Sequence, residues 1–200
     1  MKTPLVRINK KLSSNIVIID GFSASGKSLV CPILSYLERS ENWQIDYNYE
    51  HLAIINYLKN ASKNAVKNIL ETRSDELIYN LYIGRNINLR AKDQTSPIFI
   101  NLEKKYVQRS KKDENSVTVD EIRNNNPIIP IHVHYIYGYS KILFDSLKDR
   151  LGLYIVMLRD PFFLIQNWHE ENWVNKIGKN PRDFHLCIKF NDNLIPWYTK

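Results

Sequence analysis

The stretch Ile16–Val30, IVIIDGFSASGKSLV, joins an aliphatic run to a glycine-bearing turn, a lysine and the start of an apolar-periodic segment. The run Ile16, Val17, Ile18, Ile19 is the pattern of a strand buried on both faces in a parallel sheet. From Lys27 the apolar residues Val30, Ile33, Leu34 and Leu37 follow helical spacing until ERSEN, 38–42, ends the element. Between strand and helix, Gly21, Gly26, Lys27 and Ser28 satisfy G-x-x-x-x-G-K-[ST] in the context that this phosphate-binding pattern requires. Glycines let backbone N–H groups turn inward around an anion, and the helix N-terminus and the Lys27 ammonium add positive potential.

Working outward, NWQIDYNYE (42–50) alternates Trp43, Ile45, Tyr47 and Tyr49, which predicts a half-buried strand. A mainly helical stretch is expected from about Glu50 to Tyr82, carried by Leu52, Ile55 and Leu58, then Val66, Ile69 and Leu70, then Leu77, Ile78 and Leu81. Ser74 is the expected N-cap of its last part. GRNINLRAKDQTSP (84–97) breaks the pattern, the charged run Lys104 to Lys112 reads as a solvated face, and Thr118 to Glu121 has the capping-box form. PIIPIHVHYI (127–136) predicts a strand with His132 and His134 on one face. Ile142, Leu143 and Leu147 predict a helix, GLYIVML (152–158) a second fully buried strand, and FFLIQNWHEENW (162–173) a helix launched after Pro161. Strands alternating with helices imply one α/β domain, a three-layer sandwich with a mainly parallel sheet, whose ligands sit beyond the carboxyl ends of the strands.

The totals are consistent with this. At 200 residues the chain fits one well-packed domain. Hydrophobic residues at 44% and charged residues at 24% are ordinary globular usage and point away from disorder and from a membrane span. The net charge of +7 favours anionic partners. Cys31 and Cys187 form no CxxC pair, which argues against a zinc ribbon or a disulfide framework. The basic N-terminus lacks the apolar segment of a secretory signal and no long apolar run follows, so the expected location is cytoplasmic. NLIPWYTK (193–200) is expected to stop without a terminating element, as a truncated chain would.

Three further residues bear on chemistry. The strand in YIVMLRDP (154–161) runs straight into Arg159, which puts a second cation at the sheet edge that carries Lys27. The plainer reading is that Arg159 pairs with Asp160 or caps a helix. Imidazole suits a general base near neutral pH; His134, nearer the end of its strand, is the first candidate and His132 the second. The plainer reading makes them hydrogen-bonded sheet residues, and a His-x-His metal pair lacks an evident third ligand. Trp168, Trp173 and Phe163 read as packing residues of an amphipathic helix. Arg85 and Arg90 flank an exposed loop, as receivers of an anionic acceptor or as plain surface residues.

Taken together, Gly21 to Ser28, the histidine at a strand end in IPIHVHYI, and YIVMLRDP followed by a helix resemble the P-loop sulfotransferases, over about Ile16 to Trp173. The resemblance implies transfer of a sulfuryl group from 3′-phosphoadenosine 5′-phosphosulfate to a hydroxyl of a carbohydrate or another small acceptor. It implies that Ser25, Gly26, Lys27 and Ser28 cradle the 5′ group and that Arg159 holds the 3′-phosphate. Asn167 stands in the slot eight residues later where the family usually has Ser. His134 is then the general base and Lys27 stabilises the leaving oxygens. Many members carry a basic residue two before the second glycine; here that position is Ala24 and the charge sits on Lys27 instead. The alternative is a kinase or other NTP-using enzyme binding ATP with magnesium, in which Lys27 contacts the β and γ phosphates, Ser28 holds the metal and Asp20 or Asp160 supports it. A nucleotide-binding module without catalysis is the non-enzymatic reading. No nucleic-acid partner, no protein-held metal and no transmembrane segment are expected.

Overall fold

The computed structural model describes residues 10–12, 15–113, 119–176 and 179–199. Its centre is the aliphatic run. Strand β1 (Asn15–Gly21) lies between β3 (Ile128–His132) and β4 (Leu151–Met157), and the short β2 (Gln44–Ile45) completes a four-stranded sheet in the order β2-β3-β1-β4, parallel throughout. Side chains alternate across β1. Ile16 and Ile18 enter the larger core, with helices α2 (Tyr47–Tyr57), α3 (Lys63–Tyr82) and α6 (Lys141–Leu147). Val17 and Ile19 face the opposite side, where Cys31 of α1 (Lys27–Ser35) and Trp43 cover them. The chain is therefore α/β, with helices on both faces of a parallel sheet.

The register fixes the site. Ile19 lies opposite His132 and Gly21 opposite Met157, so β1, β3 and β4 all end along one rim. Helices α4 (Glu103–Arg109) and α5 (Val119–Asn125) precede β3. Helix α7 (Pro161–Glu170) follows β4, then α8 (Trp173–Lys176) and an antiparallel hairpin of β5 (Cys187–Phe190) and β6 (Asn193–Pro196). Trp197, just beyond the hairpin, is buried in the larger core, so the segment read as lacking a terminating element holds a strand and a core anchor.

Several expectations are corrected. The alternation in 42–50 is strand only at Gln44–Ile45; Asp46 then accepts a hydrogen bond from the Asn48 N–H and caps α2, so Tyr47 and Tyr49 belong to a helix. Ser74 is no cap but lies inside α3, fully buried, its hydroxyl bonded to Leu70 O and Tyr49 Oη; Ser62 caps that helix. The 104–112 run is not simply a solvated face, because Tyr106 is buried and, with Lys105 and Arg109, grips the buried carboxylate of Glu41. Strand β4 is not fully buried: it forms the sheet edge, and Leu153 is 52% exposed. The side of α1 that meets the sheet is Lys27, Cys31, Leu34 and Ser35, while Ile33 and Leu37 of the expected stripe are exposed. The capping-box residue Thr118 lies outside the described residues. Both cysteines are free thiols, Cys31 buried and Cys187 exposed.

Among the described residues no helix is long and apolar enough to cross a membrane.

Candidate active site

The turn between β1 and α1 holds three left-handed residues, Gly21 (φ +142°), Ala24 (φ +68°) and Gly26 (φ +103°). A Cβ at Gly21 would meet Met157 O at 2.6 Å, so the close approach of β4 excludes any other residue there. Gly26 caps α1 with no side chain, and no acidic residue occupies the first turn, so the positive end of the helix carries no carboxylate of its own. Ser25 is only 6% exposed and its Oγ has no hydrogen-bond partner, an orphaned polar atom inside the turn. Lys27 is 4% exposed; its Nζ donates to Gly21 O and, at 2.8 Å, to Phe22 O. Burial pushes its ammonium down to about 8, against the opposing pull of Asp20, Glu50 and Cys31. Ser28 is exposed at the mouth of the turn.

At the end of β3 the two histidines part company. His132 is the last strand residue, 7% exposed, with Trp43 and His134 rings at 5.6 and 4.6 Å and no partner for either nitrogen. Burial first, then His134 and Lys27, push it down to about 2, so it is neutral and a poor proton acceptor. His134 lies past the strand end, half-buried, with Nδ1 2.7 Å from Glu50 Oε1 of α2. It opens onto a cavity of about 1110 Å³ walled also by Tyr47, His51, Trp173 and Phe184.

Arg159 stands at the third strand end. Its guanidinium lies 3.5 Å over the Phe163 ring and donates to Ala24 O at 3.2 Å, so it reaches the glycine turn itself. Asp160 is not its partner: that carboxylate caps α7 by accepting from the Phe163 N–H. Asn167 sits half-buried on the same helix, and among the described residues no hydrogen bond joins its side chain to the turn or to Arg159. Trp168, expected to be a packing residue, donates from Nε1 to Ser23 O and so ties α7 to the turn. With Phe22, Tyr135 and Tyr137 it lines an apolar cavity of about 460 Å³ that adjoins the larger one through Ser23, Tyr135, Trp173 and Trp197. Asp20 is buried and engaged on both oxygens, by the N–H groups of Gly21 and Ile136 and by the Tyr154 hydroxyl.

Lys27, His134 and Arg159 therefore meet along one rim. Arg85 and Arg90 line neither cavity, whereas Asp93 and Thr95 from the same loop do line the larger one. Glu50 was missed by sequence reasoning; the signal that could have found it is the Asp46 cap, which turns Tyr47, Glu50 and His51 into one helical face. Among the described residues no group of three or more His, Cys, Asp or Glu side chains is arranged to hold a metal ion. No protein-family model, no curated protein and no solved structure matches this chain.

Proposed function

We propose that the chain is a sulfotransferase-like enzyme of the P-loop type that moves a sulfuryl group from 3′-phosphoadenosine 5′-phosphosulfate to a hydroxyl of a carbohydrate or another small acceptor. The observation that carries the reading is the convergence of three groups on one rim: a glycine turn with an orphaned Ser25 hydroxyl and the Lys27 ammonium, the Arg159 guanidinium, and the His134 imidazole facing a large cavity. Backbone amides of the turn and α1, with Ser25, Lys27 and Ser28, would hold the 5′ phosphosulfate, and Arg159 the 3′-phosphate, with Asn167 of α7 as a second donor. Positioning and charge neutralisation supply most of the catalysis in such a transfer. The acceptor oxygen bonds to sulfur as its proton passes to His134, and the bridging S–O bond breaks toward the nucleotide phosphate, whose new charge Lys27 opposes.

The placement of Lys27 directly after Gly26 favours a second reading, an NTP-using enzyme with ATP and magnesium. Against it, Asp20 and Asp160 are both taken up by internal hydrogen bonds. Thermal unfolding separates the two. Adenosine 3′,5′-bisphosphate without metal is expected to raise Tm, and by more than ATP with magnesium does; stabilisation by ATP with magnesium alone overturns the sulfotransferase reading in favour of the NTP enzyme.

A further inference from the structure

We propose that Glu50 is the positioning residue of the His134 base, holding the proton on Nδ1 so that the Nε2 lone pair faces the acceptor cavity. This rests on the transfer reading above for its consequence but not for its geometry. Glu50 lies on the first turns of α2, nearly buried, with Oε1 2.7 Å from His134 Nδ1. A carboxylate only accepts, so the contact makes Nδ1 the donor and fixes the tautomer. Nε2 has no partner among the described residues, is not among the sealed polar atoms, and belongs to a residue that lines the cavity of about 1110 Å³.

Two further rings lie close to the imidazole. Tyr47, one helical turn before Glu50, stacks near-parallel on the imidazole with centroids 6.3 Å apart, and the His132 ring stands 4.6 Å away. The helix that carries Tyr47 and Glu50 is itself pinned at its start, where Asp46 caps it and accepts from Arg73 Nε at 2.6 Å. A carboxylate near a helix N-terminus is favoured by the aligned peptide dipoles. During transfer the acceptor hydroxyl gives its proton to Nε2 while its oxygen bonds to sulfur and the S–O bond to the nucleotide breaks. The resulting imidazolium then faces the Glu50 carboxylate, which opposes its charge until the proton leaves to solvent.

The direct test reads the tautomer in the free protein by long-range ¹H–¹⁵N correlation of the histidine rings at a pH where His134 is neutral. The expected result is a protonated Nδ1 and an unprotonated Nε2 for His134; an Nε2-protonated ring in the unaltered protein overturns the proposal, whatever any variant does. Glu50→Leu is expected to shift the ring toward the Nε2-protonated form, whereas Glu50→Gln, whose amide oxygen still accepts, retains the Nδ1 proton. In sulfuryl transfer Glu50→Leu should lower kcat by at least about tenfold with the nucleotide KM unchanged, and Glu50→Gln should fall between. A tautomer unmoved by Glu50→Leu, or a loss confined to KM, overturns the role. The expected tautomer together with no sulfuryl transfer to any hydroxyl supports the Glu50–His134 arrangement and counts instead against the transfer reading.

Discussion

Lys27 directs its ammonium at two backbone carbonyls of its own turn, Gly21 O and Phe22 O, in surroundings that leave it almost no water. A buried cation held by neutral acceptors is easily discharged, and burial pushes it from the ordinary lysine value of 10.5 down to about 8. Between those values the unfolded chain binds a proton that the native protein does not, so this residue makes stability rise with pH through that window. An anion in the turn would favour the charged form. Binding of adenosine 3′,5′-bisphosphate should therefore take up a proton above about pH 8 and weaken as the pH rises further. Titration calorimetry near pH 8.5 in two buffers of different ionisation heat measures the uptake; an identical heat in both buffers contradicts the account. His132 is pushed the same way: burial makes it a weak base, whereas His134, two residues past the strand end, is half-buried and bonded to Glu50.

At the scale of elements, α2 decides whether Glu50 meets His134, and its N-terminus depends on Asp46. That carboxylate caps the helix through the Asn48 N–H at 2.9 Å and pairs with Arg73 at 2.6 Å while itself almost fully buried. Asp46→Ala should cost about 1 to 2 kcal/mol in urea unfolding, from the lost cap and the lost bond to Arg73, whose guanidinium keeps Glu76 at 3.0 Å. Asp46→Asn should recover about 1 kcal/mol of this, because an amide still caps; a loss below about 0.5 kcal/mol for the alanine variant contradicts the role. This element was the hardest to read from sequence. Trp43, Ile45, Tyr47 and Tyr49 alternate as in a strand, and only the capping aspartate between them marks the change of period. By contrast β1 and α7 were legible, one because four aliphatics buried on both faces leave a continuous run, the other because Pro161 announces a helix start. Ser74 misled because a serine inside a buried helix can bond back to the preceding turn, here to Leu70 O, and meet a distant tyrosine.

Across the whole molecule, parallel pairing brings the ends of β1, β3 and β4 to one rim, and that much of the site follows from the alternation of strands and helices. What periodicity could not show is which strand lies at the edge. The run in β4 reads as fully buried, but among the described residues it has a strand neighbour on one side only, and Leu153 is 52% exposed. Nor could sequence show that Arg159 touches the glycine turn, since the contact to Ala24 O joins residues 135 positions apart. The central claim is that the two cations serve opposite ends of one adenosine nucleotide. Calorimetric affinities of adenosine 3′,5′-bisphosphate and adenosine 5′-phosphate, for the unaltered protein and for Arg159→Ala, test it most directly. The account predicts that the bisphosphate binds roughly tenfold to hundredfold tighter than the monophosphate and that Arg159→Ala erases the difference. Equal affinities in the unaltered protein, or an equal loss of both ligands in the variant, would contradict it.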